Sequence, residues 1–294
     1  MTQTVFLALL IVLVFAFFCE APQSRMREAF RHHPGGIWLA PIALTALFTA
    51  AAWVCGAASL ALTVSMLVYT AAPTLCASLW GPATDRGPGW LDFLAILLIW
   101  LPLEFAAGAG LVPRSAQGFL HSVAYGVAIL LGLTIFLCFR SFGGMKYNPP
   151  RGWLDLWRPL AGYLLTAPVL VAVGIPIGFI PPPHLPTAGA ARMAAAAGLI
   201  FAGTALPEEI LFRSLIQNLV MQRWGTNGRT LFAAALIFGA AHLDNGPQPL
   251  PNWRYMILAT IAGIAYGKVF QKSATVGSSA VLHMLVDWTK HFFF

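Results

Sequence analysis

Long apolar runs, many of them close to twenty residues, dominate the chain. The run 118–139, for example, contains no Asp, Glu, Lys or Arg. A helix of about 20 apolar residues is long enough to cross the ~30 Å hydrocarbon layer of a bilayer. The runs therefore predict an all-α fold, a polytopic bundle of transmembrane helices.

Composition supports this prediction and excludes other classes. Hydrophobic residues make up 59% of the 294 positions and charged residues only 9%, whereas a soluble domain carries about 25% charged residues. The net charge of +7 comes from basic residues scattered between apolar runs, with no basic tract that aromatic residues interrupt. We therefore expect the lipid bilayer as a partner and no nucleic acid.

The runs and the loops between them predict about ten spans. We place these at 3–19, 37–55, 59–80, 90–106, 118–139, 159–180, 190–220, 230–243, 254–270 and 274–290. Alternating loops then put most Lys and Arg residues on one side, which predicts that side as cytoplasmic and both termini as outside. The excess of Arg over Lys and the abundance of Ala favour a bacterial source, and so a cytoplasmic (inner) membrane.

Two adjacent carboxylates and a guanidinium interrupt the apolar stretch 190–220. Glu209 and Arg213 are four residues apart, so they share a helix face and can form an ion pair. Neighbouring residues point about 100° apart on a helix, which leaves Glu208 free to face a cavity. Ionisable groups inside a span are costly and indicate a functional site by default.

Two further polar pairs follow on later helices. Phe238 and His242 are four residues apart, as are His283 and Asp287. At 1.5 Å per residue, Glu208 and His242 lie roughly 18 Å and His283 roughly 14 Å from the cytoplasmic ends of their predicted spans. Similar depths on three helices predict one shared polar site.

A carboxylate and two histidines around a small wet cavity can activate water for hydrolysis of a peptide bond. Glu208 would act as the general base, His242 would share the proton or hold the water, and His283 would donate to the oxyanion. Alternatively, Glu208, His242 and His283 could hold Zn²⁺ with an open position. The helical zinc signature H-E-x-x-H is absent, which favours a site without a metal or other cofactor.

These motifs, EExxxR, FxxxH and HxxxD in this order, resemble the CAAX-protease and bacteriocin-processing family of intramembrane glutamate endopeptidases, which includes the type II CAAX prenyl endopeptidases. The resemblance covers about 190–290. It implies that Glu208 and His242 activate water and that His283 and Asp287 stabilise the oxyanion. It also implies a supporting role for Glu209 and Arg213, with Phe238 in the same motif set.

One departure from that pattern concerns Asp287, because the prenyl endopeptidases have Asn at this position. An ionised carboxylate would repel an oxyanion, so Asp287 is either protonated or an acceptor that orients His283.

The motifs divide the chain into N-terminal helices at 1–150, without a recognised motif, and a protease-like core at 151–294.

The sequence thus predicts an intramembrane protease acting on a membrane-associated protein or peptide. Two other classes remain open at this stage. In a transporter, Glu208, His242 and Asp287 would relay protons or ions, although no internal repeat supports this. In a non-catalytic membrane partner, such as an immunity protein, the same residues would only hold the helices together.

Overall fold

A computed structural model describes residues 2–82, 87–104, 117–246 and 248–294. Over these ranges the chain is helical and contains no β-strand, which confirms the predicted all-α class. Its internal packing forms two compact units, residues 1–145 and residues 146–294.

The first unit is built from apolar helices that pack in sequence. Helix α3 (Leu39–Val54) packs against α4 (Leu60–Trp80) and α6 (Gln117–Gly132). Helix α4 also packs against α5 (Trp90–Glu104), and α1 (Thr2–Ala16) packs against α6. A π-helical turn, Leu133–Phe139, extends α6. The helices are α1 Thr2–Ala16, α2 Glu20–His32, α3 Leu39–Val54, α4 Leu60–Trp80, α5 Trp90–Glu104 and α6 Gln117–Gly132.

A buried ion pair fixes the end of this unit. Arg140 Nε lies 2.8 Å from Oδ1 of Asp92, and Nη2 lies 3.3 Å from Oδ2. Nη1 donates to the carbonyl of Gly81 at 2.6 Å. Both charged side chains are 1% exposed. The guanidinium thus joins the end of α4, the first turn of α5 and the segment after α6 in one closed network.

The first helix of the second unit is α7 (Trp153–Gly174), and the unit contains one long, irregular helical segment, Ala190–Trp224. Within it, the single α-turn that carries Glu208 and Glu209 lies between two π-helical stretches, Phe201–Ala205 and Ile210–Gln217. Such π-turns are frequent at functional sites. The helices are α7 Trp153–Gly174, α8 Ala190–Ile200, α9 Leu206–Glu209, α10 Asn218–Trp224, α11 Gly228–Ala240, α12 Trp253–Lys272 and α13 Val276–Phe293.

Glycines allow α11 and α12 to pack closely. A Cβ on Gly239 would lie 2.0 Å from Thr260 Oγ1 and 2.6 Å from the Met256 carbonyl. A Cβ on Gly267 would lie 2.5 Å from Leu231 Cδ1 on α11. All three distances are shorter than van der Waals contact, and because the Met256 carbonyl is backbone, a side chain at Gly239 would force the helices apart. Gly239, which lies within the FxxxH motif, therefore sets the distance between these helices.

Loop contacts fix the start of α13, which carries the third motif. Lys146 Nζ donates to the carbonyls of Phe270, Gln271 and Ser273 at the end of α12. The carboxylate of Asp155 accepts from the backbone of Ala274 at 2.7 Å. These bonds satisfy orphan groups at helix ends and hold the turn between α12 and α13 against the start of α7.

Within the described part of the chain, five helical segments are long and apolar enough to cross a bilayer, and α1 with α2 could add a sixth span that is bent by 77°. A polytopic membrane protein is therefore supported, while the predicted count of ten spans is not confirmed. Helix α11, with 13 residues, is too short to cross alone. The qualifying segments are Pro34–Val54, Leu60–Trp80, Gly118–Phe139, Trp153–Gly174 and Ala190–Trp224.

Candidate active site

Glu209 is the centre of a buried polar network that joins α9 to α13. Its Oε2 lies 2.9 Å from Nε of Arg213 and also accepts from the hydroxyl of Ser279. Its Oε1 lies 3.2 Å from Nδ1 of His283. Both Glu209 and Arg213 are fully buried. The contact predicted for this pair is present, and the carboxylate also holds the second histidine.

His283 has carboxylates at both ring nitrogens. While Nδ1 faces Glu209, Nε2 lies 3.4 Å from Oδ2 of Asp287 and 3.9 Å from Oε2 of Glu208. An ionised carboxylate accepts hydrogen bonds and cannot donate them. Acceptors at both ring nitrogens therefore favour a ring that donates from both, which is the imidazolium form. The ring is 4% exposed, and the plane of Tyr266 stacks on it with centroids 4.6 Å apart.

His242 follows α11 in a turn and presents one nitrogen to the site. Its Nδ1 lies 2.8 Å from the carbonyl of Phe238. Because a carbonyl can only accept, Nδ1 carries the proton, and in a neutral ring Nε2 then carries the lone pair. The ring packs between Tyr255 at 4.5 Å and Phe238 at 4.8 Å, which fixes its orientation.

Phe238 links the three motifs through its ring. Its centroid lies 4.8 Å from that of His242 and 5.8 Å from that of His283. The guanidinium of Arg213 lies 4.8 Å from the same centroid, a cation–π geometry. The similar depths predicted for the three motifs therefore correspond to direct contacts in the folded chain.

A cavity of about 80 Å³, measured as space open to the centres of water molecules, lies beside these residues. At roughly 10–15 Å³ per water on this measure, it has room for several waters. His242, His283 and Asp287 line the cavity together with apolar side chains of α7 and α12. Among the described residues, Glu208 is not part of this lining; its Oε2 lies 3.9 Å from Nε2 of His283, which does line the cavity.

The alternative zinc site would need a neutral His283 ring, because only a deprotonated ring nitrogen can bind the ion. Over the ranges that the structure describes, no three His, Cys, Asp or Glu side chains are arranged to hold a metal ion.

Four residues around the site were missed by the sequence analysis: Ser279, Tyr255, Tyr266 and Lys290. Helical spacing could have indicated two of them, because Ser279 precedes His283 by four residues and Lys290 follows Asp287 by three. These residues share one face of α13. The two tyrosines lie on α12, which carries no motif, and only tertiary packing brings them to the histidines.

Comparison with known families gives a match to the type II CAAX prenyl endopeptidase Rce1-like family over residues 190–289. No match is found among curated proteins or among solved structures. The matched region contains all three motifs and ends just beyond Asp287, the last motif residue. The resemblance inferred from the motifs is thereby confirmed: residues 190–289 are similar to the type II CAAX prenyl endopeptidase Rce1-like family.

Proposed function

We propose that this chain is an intramembrane endopeptidase that hydrolyses a peptide bond with water activated by Glu208 and His242. The family match points to a membrane protease and to a protein or peptide substrate at the membrane. The observation that carries the proposed activation of water is the position of His283. It lies between three carboxylates, next to a cavity that His242 also lines.

Glu208 is suited to the role of general base because its Oε2 lies 3.9 Å from Nε2 of His283, a residue that lines the cavity. In the proposed reaction, Glu208 takes a proton from water as the water oxygen bonds to the scissile carbonyl carbon. The C–N bond then breaks, and the proton passes from Glu208 to the leaving amine. The Nε2 lone pair of His242 would hold the water in position.

His283 would stabilise the oxyanion that forms in this step. A doubly protonated ring offers positive charge, and its Nε2–H, 3.4 Å from Asp287 and 3.9 Å from Glu208, would be shared with the oxyanion. Asp287, 3.4 Å from Nε2, would orient the ring rather than donate to the oxyanion. Glu209 and Arg213 would support it from the other side, because Glu209 holds Nδ1.

We further propose a bacterial cytoplasmic membrane as the location, with both termini outside. The substrate would be a bacteriocin-type leader, a C-terminal sorting tail or an anchored partner. Each of these places a peptide bond close to the bilayer surface, and none requires a prenyl group.

A terminomics experiment tests the proposal whichever protein or peptide is the substrate. Membranes from cells that express the wild-type chain or Glu208→Gln are compared for new peptide ends by mass spectrometry. We expect a set of ends that requires the wild type and disappears in Glu208→Gln and in His242→Ala. Glu28→Gln is the matched control, because Glu28 is exposed on α2, outside the site.

Other results would overturn the proposal. Undiminished cleavage in both site variants would show that the residues are wrongly assigned. Proton flux that the variants abolish, with no cleavage by the wild type, would favour a transporter. Loss of cleavage on treatment with a chelator, restored by Zn²⁺, would contradict the metal-free reaction.

A further inference from the structure

Basic residues collect at one end of the second unit. Helix α7 begins at Trp153, and the next long apolar segment, Ala190–Trp224, ends at Trp224. Both are long and apolar enough to cross a bilayer, so the start of the first and the end of the second lie at the same membrane face. Arg223 and Arg229 lie on either side of the short loop that follows Trp224.

Hydrogen bonds place the end of α12 beside the start of α7. The guanidinium of Arg158 donates to the carbonyl of Lys272, the last residue of α12, and its Nη1 lies 3.9 Å from Oδ1 of Asp155. The same carboxylate accepts from the backbone of Ala274 at 2.7 Å. Lys268 precedes Lys272 by one helical turn, so the two residues share one side of α12. The basic residues of this face, all exposed except the partly exposed Arg158, are Arg151, Arg158, Arg223, Arg229, Lys268 and Lys272.

Acidic residues do not balance this charge. The acidic residues of 146–294 are Asp155, Glu208, Glu209, Asp244 and Asp287. Three of them belong to the candidate active site, and Asp244 follows the opposite end of α11. Asp155 is 5% exposed, and both of its oxygens accept from backbone amides. Among the residues described at this face, the exposed ionisable side chains are therefore all basic.

An apolar stripe continues from the basic face along α7. Trp153, Trp157, Leu160 and Leu164 follow one another at intervals of three or four residues, which places them on one side of the helix. All four are exposed, and tryptophan is enriched where a membrane meets water. Basic side chains at the end of an exposed apolar stripe match the two parts of an anionic lipid, its headgroup and its acyl chains.

We propose that the ends of α7 and α12 form a binding site for an anionic phospholipid. Arg151, Lys268 and Lys272 would surround the headgroup phosphate, and an acyl chain would lie along the stripe on α7. A basic residue near the bilayer surface strengthens binding of an anionic lipid by about fivefold. A zwitterionic headgroup carries its own cation and would gain much less. The inference goes beyond the proposed function, because none of these residues belongs to the candidate active site.

Native mass spectrometry of the delipidated full chain in detergent tests the inference. The probes are dioleoylphosphatidylglycerol and dioleoylphosphatidylcholine, which have the same acyl chains and differ in net charge. We expect the anionic lipid to bind about a hundredfold more tightly, because three basic residues contribute. Lys268→Gln combined with Lys272→Gln should weaken its binding by about thirtyfold and leave the binding of the zwitterionic lipid unchanged.

Arg25→Gln combined with Arg31→Gln is the matched control. It removes the same charge from exposed positions on α2, where the exposed Glu28 lies between the two arginines, and it should leave both affinities unchanged. Should the double lysine variant fail to fold, Lys268→Gln and Lys272→Gln are measured singly, with a loss of about fivefold expected for each.

Equal affinity for the two lipids would overturn the inference, as would undiminished binding of the anionic lipid in the lysine variants. Inorganic phosphate, added as a competitor, separates the lipid from a free anion. We expect it not to displace the lipid at equal concentration, because it has no chain to lie along the stripe; displacement would assign the site to a free anion. Displacement of the lipid by an acidic peptide would assign the face to a protein partner instead.

Discussion

Each compact unit contains a buried arginine paired with a carboxylate, and the two pairs are built differently. Arg140 uses Nε and both Nη atoms, two on Asp92 and one on a carbonyl. Arg213 uses only Nε, on Glu209, and neither Nη atom has a hydrogen-bond partner among the described residues. Its guanidinium lies instead over the rings of Phe238 and Tyr266.

The carboxylates of the two pairs, Asp92 and Glu209, also have different hydrogen-bond partners. Asp92 accepts from Arg140 and from the nearby backbone of Gly89, so the first pair is complete in itself. Glu209 shares its oxygens among Arg213, Ser279 and His283, so the second pair transmits its geometry to the candidate site. We infer that the first pair serves stability alone, while the second serves both stability and the orientation of His283.

Breaking the first pair should give the largest loss of stability. Arg140→Met leaves Asp92 buried without its cation, which costs about 3–5 kcal/mol in the free energy of unfolding. Thermal unfolding in detergent measures the loss, and cleavage per folded molecule should not change. Arg31→Met, an exposed position on α2, controls for removal of charge. A fall in cleavage per folded Arg140→Met molecule would contradict a purely structural role.

Breaking the second pair should affect function more than stability. Arg213→Met removes one donor from Glu209, but Ser279 and His283 remain, so the loss of stability should be smaller, about 2 kcal/mol. Cleavage per folded molecule should fall at least tenfold, because Glu209 no longer holds Nδ1 of His283 in a fixed position.

Comparison with Arg140→Met tests whether the two arginine–carboxylate pairs have different roles. Equal stability losses and equal activity in the two variants would show that the two pairs do the same work. Arg213→Lys refines the test, because it keeps the charge but loses the planar guanidinium that lies over Phe238. We expect it to restore stability only in part.

The parts of this architecture that follow from local periodicity could be predicted from sequence. Four-residue spacing on a helix predicted the contact between Glu209 and Arg213, and the ring contact between Phe238 and His242. Apolar runs predicted the helical class. Depth counted along each helix at 1.5 Å per residue predicted that the three motifs meet, although the π-helical stretch Ile210–Gln217 departs from that rise.

Contacts between residues distant in the chain could not be predicted in this way. Asp92 and Arg140 are 48 positions apart, and Ser279 and Glu209 are 70. Each such pair depends on which faces of two helices meet, which one sequence does not specify. The π-turns around Glu208 change the angular position of every later side chain, so the placement of Glu208 outside the cavity lining was also missed.

The smallest expected effect comes from substituting two adjacent buried serines on α13. These substitutions separate a role in stability from a role in orienting His283. Ser279 donates to the Glu209 carboxylate, and Ser278 donates to the backbone carbonyl of Asp155 at 2.7 Å. Each Ser→Ala change removes one hydroxyl and should cost about 1 kcal/mol in the free energy of unfolding. Only Ser279→Ala should lower cleavage per folded molecule, by a few-fold, because its bond holds the acid that orients His283. Matched losses of stability with unequal activity would locate the function in the Glu209 network, whereas equal activity would reduce that network to packing.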